Sequence, residues 1–175
     1  MIGVLVSGEG SNLQALIDEG LPVAAVASNR AGVRALERAE AAGIPTAVFE
    51  LGASREERDA AMATWLAGRG VRLVVCAGYM HLLTPAFLDR FPQRIVNVHP
   101  SLLPTFPGTR AIEDALAAGV DVTGVTVHLV DSGVDTGPVL EQAPVPVEPR
   151  ATLEARIHAV EHQLLPKVVR ELCES

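Results

Sequence analysis

One stretch decides the fold and reads Ile95-Val96-Asn97-Val98-His99-Pro100-Ser101-Leu102-Leu103-Pro104. Its first half is typical of a β-strand, which the two prolines bring to an end. Because side chains alternate between the faces of a strand, Asn97 and His99 point the same way, about 7 Å apart. At that spacing an amide can hold a carbonyl oxygen while an imidazole moves a proton. We interpret the stretch as a catalytic strand end, and a strand that merely ends in two polar residues is the alternative.

Strands and helices alternate on the N-terminal side of this stretch, and a hairpin follows it. Apolar runs predict strands at 2–6, 23–27, 46–49, 71–77 and 95–99, with helices between them. Residues 122–130 and 139–147 predict an antiparallel pair, and a last helix runs from Thr152 to about Leu172. Ser54, with Glu57 three residues on, predicts a capping box at one helix start, and Thr84 predicts the cap of a short helix that ends near Phe91. The order predicts an α/β protein: an open, doubly wound, mostly parallel sheet with an antiparallel edge hairpin, in a single domain over 1–175. Ligands bind such sheets outside the carboxyl ends of the strands.

The composition narrows the class of protein. Of 175 residues, 49% are apolar and 20% are charged, which is typical of a globular chain. The net charge of −7 argues against a nucleic-acid partner. No apolar run approaches the ~20 residues of a membrane span, and residues 1–6 read as a strand rather than a signal peptide. Cys76 and Cys173 fit neither a disulfide framework nor a metal spacing, so we expect free thiols and a cytoplasmic protein without a membrane partner.

A glycine-rich turn follows the first strand and opens a helix: Gly8-Glu9-Gly10-Ser11-Asn12. Free backbone N–H groups at a helix N-terminus bind phosphate. The turn is not a dinucleotide fingerprint, because Leu13 stands where the third glycine would be, and it lacks the lysine of a Walker loop. A monophosphate is the ligand that we predict, with Glu9 pointing away from it; a plain tight turn is the alternative.

A second candidate site residue is Asp135, which lies between Gly133 and Gly137 in the loop after the strand that carries His128. A carboxylate beside His99 would stabilise the imidazolium form, and it could take a proton from an attacking amine. The alternative is an ordinary turn aspartate, and Asp131 in the same loop has the same alternative.

Two other kinds of chemistry are disfavoured. The segment His158-Ala159-Val160-Glu161-His162 matches an inverted zinc-protease signature, but its surroundings read as an amphipathic helix, so we predict no metal. No serine or cysteine lies on a nucleophile elbow, because no G-x-S-x-G occurs and Cys76 lies inside a predicted strand. A covalent enzyme intermediate is therefore not expected.

The chain resembles the glycinamide ribonucleotide formyltransferase family over nearly its whole length. The resemblance rests on 97–104 followed by Phe106-Pro107-Gly108, on Gly8-x-Gly10-Ser11-Asn12-Leu13-Gln14, on Gly78-Tyr79-Met80, and on Asp135-Thr136-Gly137-Pro138. It implies a Rossmann-like formyltransferase fold and transfer of a formyl group from 10-formyltetrahydrofolate to the amine of glycinamide ribonucleotide (GAR), in purine synthesis. It also implies that the phosphate site lies in the N-terminal part and the folate site in the C-terminal part.

The resemblance assigns a role to each residue already singled out. Asn97 would hold the formyl oxygen, His99 as imidazolium would stabilise the oxyanion and protonate the leaving folate nitrogen, and Asp135 would support His99 and assist deprotonation of the amine. The ribonucleotide would be bound by four residues: Gly10, Ser11, Asn12 and Glu161. The formylfolate would be bound by a further set, together with Asn97: Arg55, Met80, His81, Leu82, Leu83, Val130 and Asp131. Direct attack by the amine needs positioning and charge stabilisation but no nucleophile or metal.

Three other functions compete with this prediction. A tRNA formyltransferase would carry an Arg-Gly-Ala-Ala-Pro stretch and a basic C-terminal domain, and the chain has Phe106-Pro107-Gly108 and an acidic balance instead. A formyltetrahydrofolate hydrolase would usually carry an N-terminal regulatory domain. A non-catalytic, flavodoxin-like phosphate-binding module would explain the glycine turn but leave Asn97, His99 and Asp135 as coincidence. We expect small-molecule substrates and either a monomer or a homodimer.

Overall fold

The computed structural model describes all 175 residues, with seven strands and six α-helices. The strands are β1 Ile2–Val6, β2 Val23–Ser28, β3 Thr46–Val48, β4 Leu73–Cys76, β5 Ile95–His99, β6 Val122–Leu129 and β7 Val139–Pro146. The helices are α1 Ser11–Asp18, α2 Arg34–Ala41, α3 Arg55–Ala67, α4 Pro85–Leu88, α5 Ala111–Ala118 and α6 Leu153–Glu174, the last preceded by a 3₁₀ turn at Arg150–Thr152.

All strands belong to one sheet, in the order β3-β2-β1-β4-β5-β6-β7. Strand β1 pairs in parallel with β2 and β4, and β2 pairs in parallel with β3. Strand β7 pairs antiparallel with β6 at the edge. The predicted fold class, an open and mostly parallel α/β sheet with an antiparallel edge hairpin, is confirmed.

The chain divides into two compact units, Met1–Val96 and Asn97–Ser175. We call them the N-terminal and the C-terminal unit. The division falls inside β5, at the residue before Asn97. The sequence-based prediction of a single domain over 1–175 stays a prediction.

The N-terminal unit has a core of strand residues covered by helices. Every residue of β1 is buried, as the uninterrupted apolar run of that strand predicts for a central parallel strand. Helix side chains that are fully buried in this unit include Leu13, Leu16, Met62 and Leu66. Burying a side chain of this size contributes about 1.5 to 3 kcal/mol, so these contacts hold the turns at the strand ends in place.

The C-terminal unit is built from the β6–β7 hairpin and the long helix α6, which contacts both strands. Strand β6 is buried on both faces: Val125 and Val127 are fully buried on one, and Thr126 and His128 are 0% and 2% exposed on the other. Polar side chains in such a position need hydrogen-bond partners. Their partners, described below, lie in the candidate site.

Ser54 and Thr84 both occupy the N-cap positions predicted for them, but only Ser54 forms a capping hydrogen bond. Ser54 caps α3 as predicted, since its Oγ accepts a hydrogen bond from the Glu57 N–H at 3.0 Å. Thr84 occupies the N-cap position of α4, but its side chain forms no capping hydrogen bond, and α4 ends at Leu88 rather than near Phe91. The backbone N–H of Thr84 instead donates to Asp59. No helix combines the length and the apolar character that crossing a membrane requires.

Candidate active site

The end of β5 brings the predicted amide and imidazole into the C-terminal unit. His99 is 4% exposed, and its Nε2 lies 2.8 Å from the carbonyl oxygen of Phe106. Because a carbonyl oxygen only accepts hydrogen bonds, Nε2 must be the nitrogen that carries the hydrogen. The other ring nitrogen, Nδ1, is therefore the one that can exchange a proton with a substrate.

Asp135 faces that second nitrogen. Its Oδ2 lies 3.5 Å from Nδ1 of His99, and the same oxygen accepts a hydrogen bond from the Gly108 N–H at 2.8 Å. The backbone of Asp135 is left-handed, with φ 52°, a conformation that aspartate tolerates better than most residues. Gly137 packs so closely on the carbonyl of Leu129 that any side chain there would displace the loop. The carboxylate is thus held beside the imidazole by its own loop and by the 100–108 segment.

His128 joins the same group, although the sequence-based site did not include it. Its Nδ1 lies 2.9 Å from the carbonyl oxygen of Leu129, and its Nε2 lies 3.2 Å from Nδ2 of Asn97 and 3.7 Å from Oδ1 of Asp135. Burial lowers the pKa of His128 below its ordinary value, and the charge of His99 lowers it further, while the Leu129 hydrogen bond and Asp135 oppose the shift. A neutral ring with the hydrogen on Nδ1 fits these contacts, and its bare Nε2 accepts from Asn97.

The amide of Asn97 is therefore oriented by His128. One N–H of Nδ2 donates to the imidazole, which leaves the second N–H and the oxygen Oδ1 for another partner. The only sequence signal for this contact was that His128 lies on the polar face of β6. The contact itself depends on which residues of β5 and β6 lie opposite each other. The pattern of polar and apolar residues along the sequence does not determine that register.

A buried hydroxyl fixes the proline-rich segment that follows β5. Thr126 accepts a hydrogen bond from the Leu103 N–H at 3.0 Å and donates to the Ser101 carbonyl at 2.7 Å. Gln142 on β7 donates to the Leu103 carbonyl at 2.8 Å and to the Thr126 hydroxyl at 2.9 Å. These bonds hold the segment whose Phe106 carbonyl and Gly108 N–H contact the catalytic candidates.

The glycine turn that is predicted to bind phosphate leads directly into helix α1. Gly10 is the N-cap of α1, with φ 76°, and it provides no side chain to cap the helix. A Cβ at this position would lie 2.6 Å from the Cβ of Ala35, so the turn requires glycine. Ser11 and Asn12 are the first two residues of α1. In general the first turn of a helix presents backbone N–H groups that the helix itself does not bind.

Glu9, which stands inside this turn, is directed to helix α2. Its Oε1 lies 2.8 Å from Nη2 of Arg38 and 3.3 Å from Nε of Arg34. Both guanidinium groups offset the charge of Glu9. That Glu9 points away from a bound phosphate stays a prediction.

The predicted folate residues fall into two groups. In the N-terminal unit, Arg55 is exposed at the start of α3, and the 80–83 segment exposes Met80 by 59% and Leu82 by 48% while Leu83 is buried. His81 is half-buried, and its pKa is lowered by partial burial and by the charges of Arg58 and Arg55.

In the C-terminal unit, Val130 and Asp131 follow β6 directly. Asp131 accepts hydrogen bonds from Gly133 N–H at 3.0 Å and from the Thr136 hydroxyl at 2.7 Å, and the hydroxyl bond is the main cause of its lowered pKa. Glu161 is buried on α6. His158 and His162 stack with their ring centroids 6.4 Å apart, and no group of three His, Cys, Asp or Glu side chains is arranged to hold a metal ion.

The model of the formyl transferase family matches residues 1–169 of the chain. The chain belongs to the formyl transferase family. Among curated relatives of this formyl transferase is the phosphoribosylglycinamide formyltransferase of Mycobacterium tuberculosis, which is 46% identical over 97% of the chain and 83% of the relative. That of Bacillus subtilis is 39% identical over 97% of the chain and 92% of the relative.

Solved structures agree with the family assignment. Glycinamide ribonucleotide transformylase 1 from Symbiobacterium toebii superimposes on this formyl transferase with a TM-score of 0.95, at 47% identity over 99% of the chain and 87% of the other. The formyl transferase also matches the trifunctional purine biosynthetic protein adenosine-3 of Chironomus tentans, at 43% identity over 97% of the chain, but it spans only 13% of that relative.

Proposed function

We propose that this formyl transferase moves the formyl group of 10-formyltetrahydrofolate to the amine of GAR, a step of purine synthesis. The observation that carries the proposal is the contact of an imidazole, a carboxylate and an oriented amide within the C-terminal unit. The similarity to phosphoribosylglycinamide formyltransferases over most of both chains supports the choice of GAR as acceptor.

Asn97 holds the formyl oxygen in this mechanism. One of its N–H groups is occupied by His128, and the second is available to donate to the formyl oxygen. As the amine attacks, that oxygen gains negative charge, and a donor already fixed in place stabilises it without reorganising.

His99 acts as the general acid. The imidazolium stabilises the oxyanion of the tetrahedral intermediate and then gives a proton to the folate nitrogen as the carbon–nitrogen bond to it breaks. The Phe106 carbonyl fixes the ring by binding Nε2, so Nδ1 is the nitrogen that we assign to proton transfer.

Asp135 supports both proton movements. Its carboxylate lies beside the His99 ring and offsets the positive charge that the ring carries while it acts as the acid, and it takes the proton that the amine loses on forming the new carbon–nitrogen bond. Its 3.5 Å separation from Nδ1 is longer than a strong charge-assisted hydrogen bond. The carboxylate therefore does not form a strong hydrogen bond with the imidazole and can accept a proton from the amine.

The substrate sites are assigned from the family resemblance. Gly10, Ser11 and Asn12 bind the phosphate of GAR at the start of α1, where N–H groups and the helix dipole favour an anion. The family resemblance also assigns Glu161 to GAR binding.

The formylfolate site uses apolar side chains and one free cation. Arg55 is exposed and suited to a carboxylate of the folate, while Met80, Leu82 and Leu83 offer apolar surface with His81 between them. The family resemblance also assigns Val130, Asp131 and Asn97 to formylfolate binding. We further propose a cytoplasmic protein, monomeric or homodimeric, that uses no metal and binds neither nucleic acid nor membrane.

An assay of tetrahydrofolate release from 10-formyltetrahydrofolate, with and without GAR, tests the proposal. We expect release only when GAR is present, with one formyl-GAR formed per folate released. Equal release without GAR would identify a formyltetrahydrofolate hydrolase instead. Absence of release under both conditions, with phosphate still bound, would favour the non-catalytic module. His99→Ala is the control for release that does not depend on this site.

A further inference from the structure

A buried ion pair lies in the first turns of α3, outside the residues assigned so far. The side chains of Arg58 and Asp59 are 2% and 0% exposed, and Nη2 of Arg58 lies 2.9 Å from Oδ1 of Asp59. Nε of the same guanidinium donates to that oxygen at 3.0 Å. A carboxylate is costly to bury unless it is paired and hydrogen-bonded, so this pair has to be satisfied by its surroundings.

The second carboxylate oxygen of Asp59 binds the backbone of a different segment. Oδ2 accepts a hydrogen bond from the Thr84 N–H at 2.8 Å. Thr84 directly follows the 80–83 segment, which we propose as part of the formylfolate site. Arg58 occupies Oδ1 and offsets the charge, which leaves Oδ2 directed at Thr84.

The other end of the same segment is held in a similar way. The Met80 N–H donates to Oγ of Ser7 at 3.0 Å, and that hydroxyl donates to Oδ1 of Asn29 at 2.6 Å. Ser7 is 3% exposed. At each end of the segment, therefore, a backbone N–H group donates a hydrogen bond to a buried side chain.

The segment's own hydroxyl groups do not provide this attachment. Oη of Tyr79 and Oγ1 of Thr84 are buried and form no hydrogen bond. Between the two attachment points, Met80 and Leu82 are exposed by 59% and 48%. Leu83 is the buried apolar side chain of the segment, whereas Met80 and Leu82 point outward and have no packing that fixes them. The two backbone anchors therefore contribute to the position of these two side chains.

We propose that Asp59 is a positioning residue for formylfolate binding: through Thr84 it fixes the backbone that presents Met80 and Leu82. The inference rests on the proposed folate site at 80–83. It assigns Asp59 no contact with substrate and no part in the proton transfers. The alternative is that the pair only stabilises the N-terminal unit, in which case its loss would not single out one substrate.

Two double variants separate these possibilities. Asp59→Ala alone would leave the Arg58 cation buried without a partner, and such a protein is expected to unfold. Arg58→Met with Asp59→Asn removes both charges but keeps an amide oxygen that can accept from Thr84. Arg58→Met with Asp59→Ala removes the charges and the acceptor. The two proteins differ in one acceptor group, so the first is the matched control for the second.

The Michaelis constants of the two substrates provide the first readout. We expect the alanine double variant to have a KM for 10-formyltetrahydrofolate about tenfold above that of the asparagine double variant, the effect of one lost hydrogen bond. The KM for GAR and kcat should agree within about twofold. Equal folate KM values in the two variants, or equal changes for both substrates, would overturn the proposal.

Hydrogen exchange of the 79–85 peptide provides a readout that does not depend on catalysis. Exchange should be about tenfold faster in the alanine double variant, because the Thr84 N–H has lost its acceptor. Equal exchange in the two variants would overturn the proposal even in a protein that transferred no formyl group. Failure of the wild-type protein to transfer formyl groups to GAR would instead count against the proposed function.

Discussion

The imidazole of His99 and the carboxylate of Asp135 lie face to face, with 3.5 Å between Nδ1 and Oδ2. The two residues are 36 positions apart in the sequence, at the end of β5 and in the loop after β6. The Gly108 N–H binds the same oxygen of Asp135, and the Phe106 carbonyl binds the far side of the His99 ring. One segment, 106–108, therefore sets the position of both groups.

Removing the charge of Asp135 should slow formyl transfer without unfolding the protein. Asp135→Asn keeps an oxygen for the Gly108 N–H, but it carries no charge to offset that of the imidazolium and cannot take a proton from the amine. We expect kcat to fall by about 10² to 10⁴-fold, the usual contribution of a positioned acid or base, and His99→Ala to lose a similar factor.

The measurement is kcat with thermal unfolding of each variant alongside it. Glu113→Gln is the control, because Glu113 is an exposed carboxylate paired with the exposed Arg110, and its loss should leave turnover unchanged. Near-normal turnover in Asp135→Asn or His99→Ala would contradict the roles assigned to them.

Replacing His128 should lower kcat and leave substrate binding alone. In His128→Leu the Asn97 amide loses the acceptor that orients it, and we expect kcat to fall about tenfold with both KM values within about twofold. His128→Gln offers a side-chain oxygen to the same amide and should recover part of the loss. An equal kcat for the Leu and Gln variants would show that the Asn97 contact does not matter.

The outline of the site could be predicted from the sequence, but its connections could not. The alternation of β5 placed Asn97 and His99 on one face, and the glycines around Asp135 together with the family resemblance pointed to its loop. The contact between Asn97 and His128 joins two strands whose register no local pattern specifies. Phe106 and Gly108 make their contacts through backbone groups. Every residue type has a backbone carbonyl, and nearly every one has an N–H, so the sequence does not reveal such contacts.

The helix caps illustrate the same difference. Ser54 could be predicted because its partner, the Glu57 N–H, is three residues away and local geometry decides the bond. Thr84 was also predicted to cap α4, and it occupies the N-cap position, but it forms no capping hydrogen bond. Its hydroxyl is buried without a partner, and its N–H is bound by Asp59, 25 residues away. Tertiary contacts outweigh local preference where the segment is anchored from another element.

Acid should destabilise the protein in part through His128. Burial lowers its folded-state pKa below the ordinary value of 6.5, so the unfolded chain binds a proton that the folded protein does not. The free energy of unfolding therefore falls as the pH drops below about 6.5 towards the folded pKa, and this contribution disappears above about 6.5.

Thermal unfolding at about pH 7.5 and about pH 5.5 measures the effect. We expect the difference in Tm between the two pH values to be smaller for His128→Gln than for the wild-type protein. His81 and His162, whose pKa values are also lowered by burial, remain in both proteins and supply the background. The same Tm difference in both proteins would mean that His128 is not the group responsible.

The phosphate site is tested by the same substitution at two helix starts. Ser11→Ala removes a hydroxyl from the turn that we assign to the GAR phosphate. A hydrogen bond to a charged group contributes about 1.5 to 3 kcal/mol, so we expect the KM for GAR to rise by about tenfold or more, while kcat and the folate KM stay within about twofold. Ser54→Ala is the matched control: it removes the cap of α3 and should lower stability by about 1 kcal/mol with no change in the KM for GAR. A KM for GAR that stays at the wild-type value in Ser11→Ala would place the phosphate elsewhere. Removing a hydroxyl that binds the phosphate has to weaken GAR binding, so an unchanged KM would mean that Ser11 does not bind it.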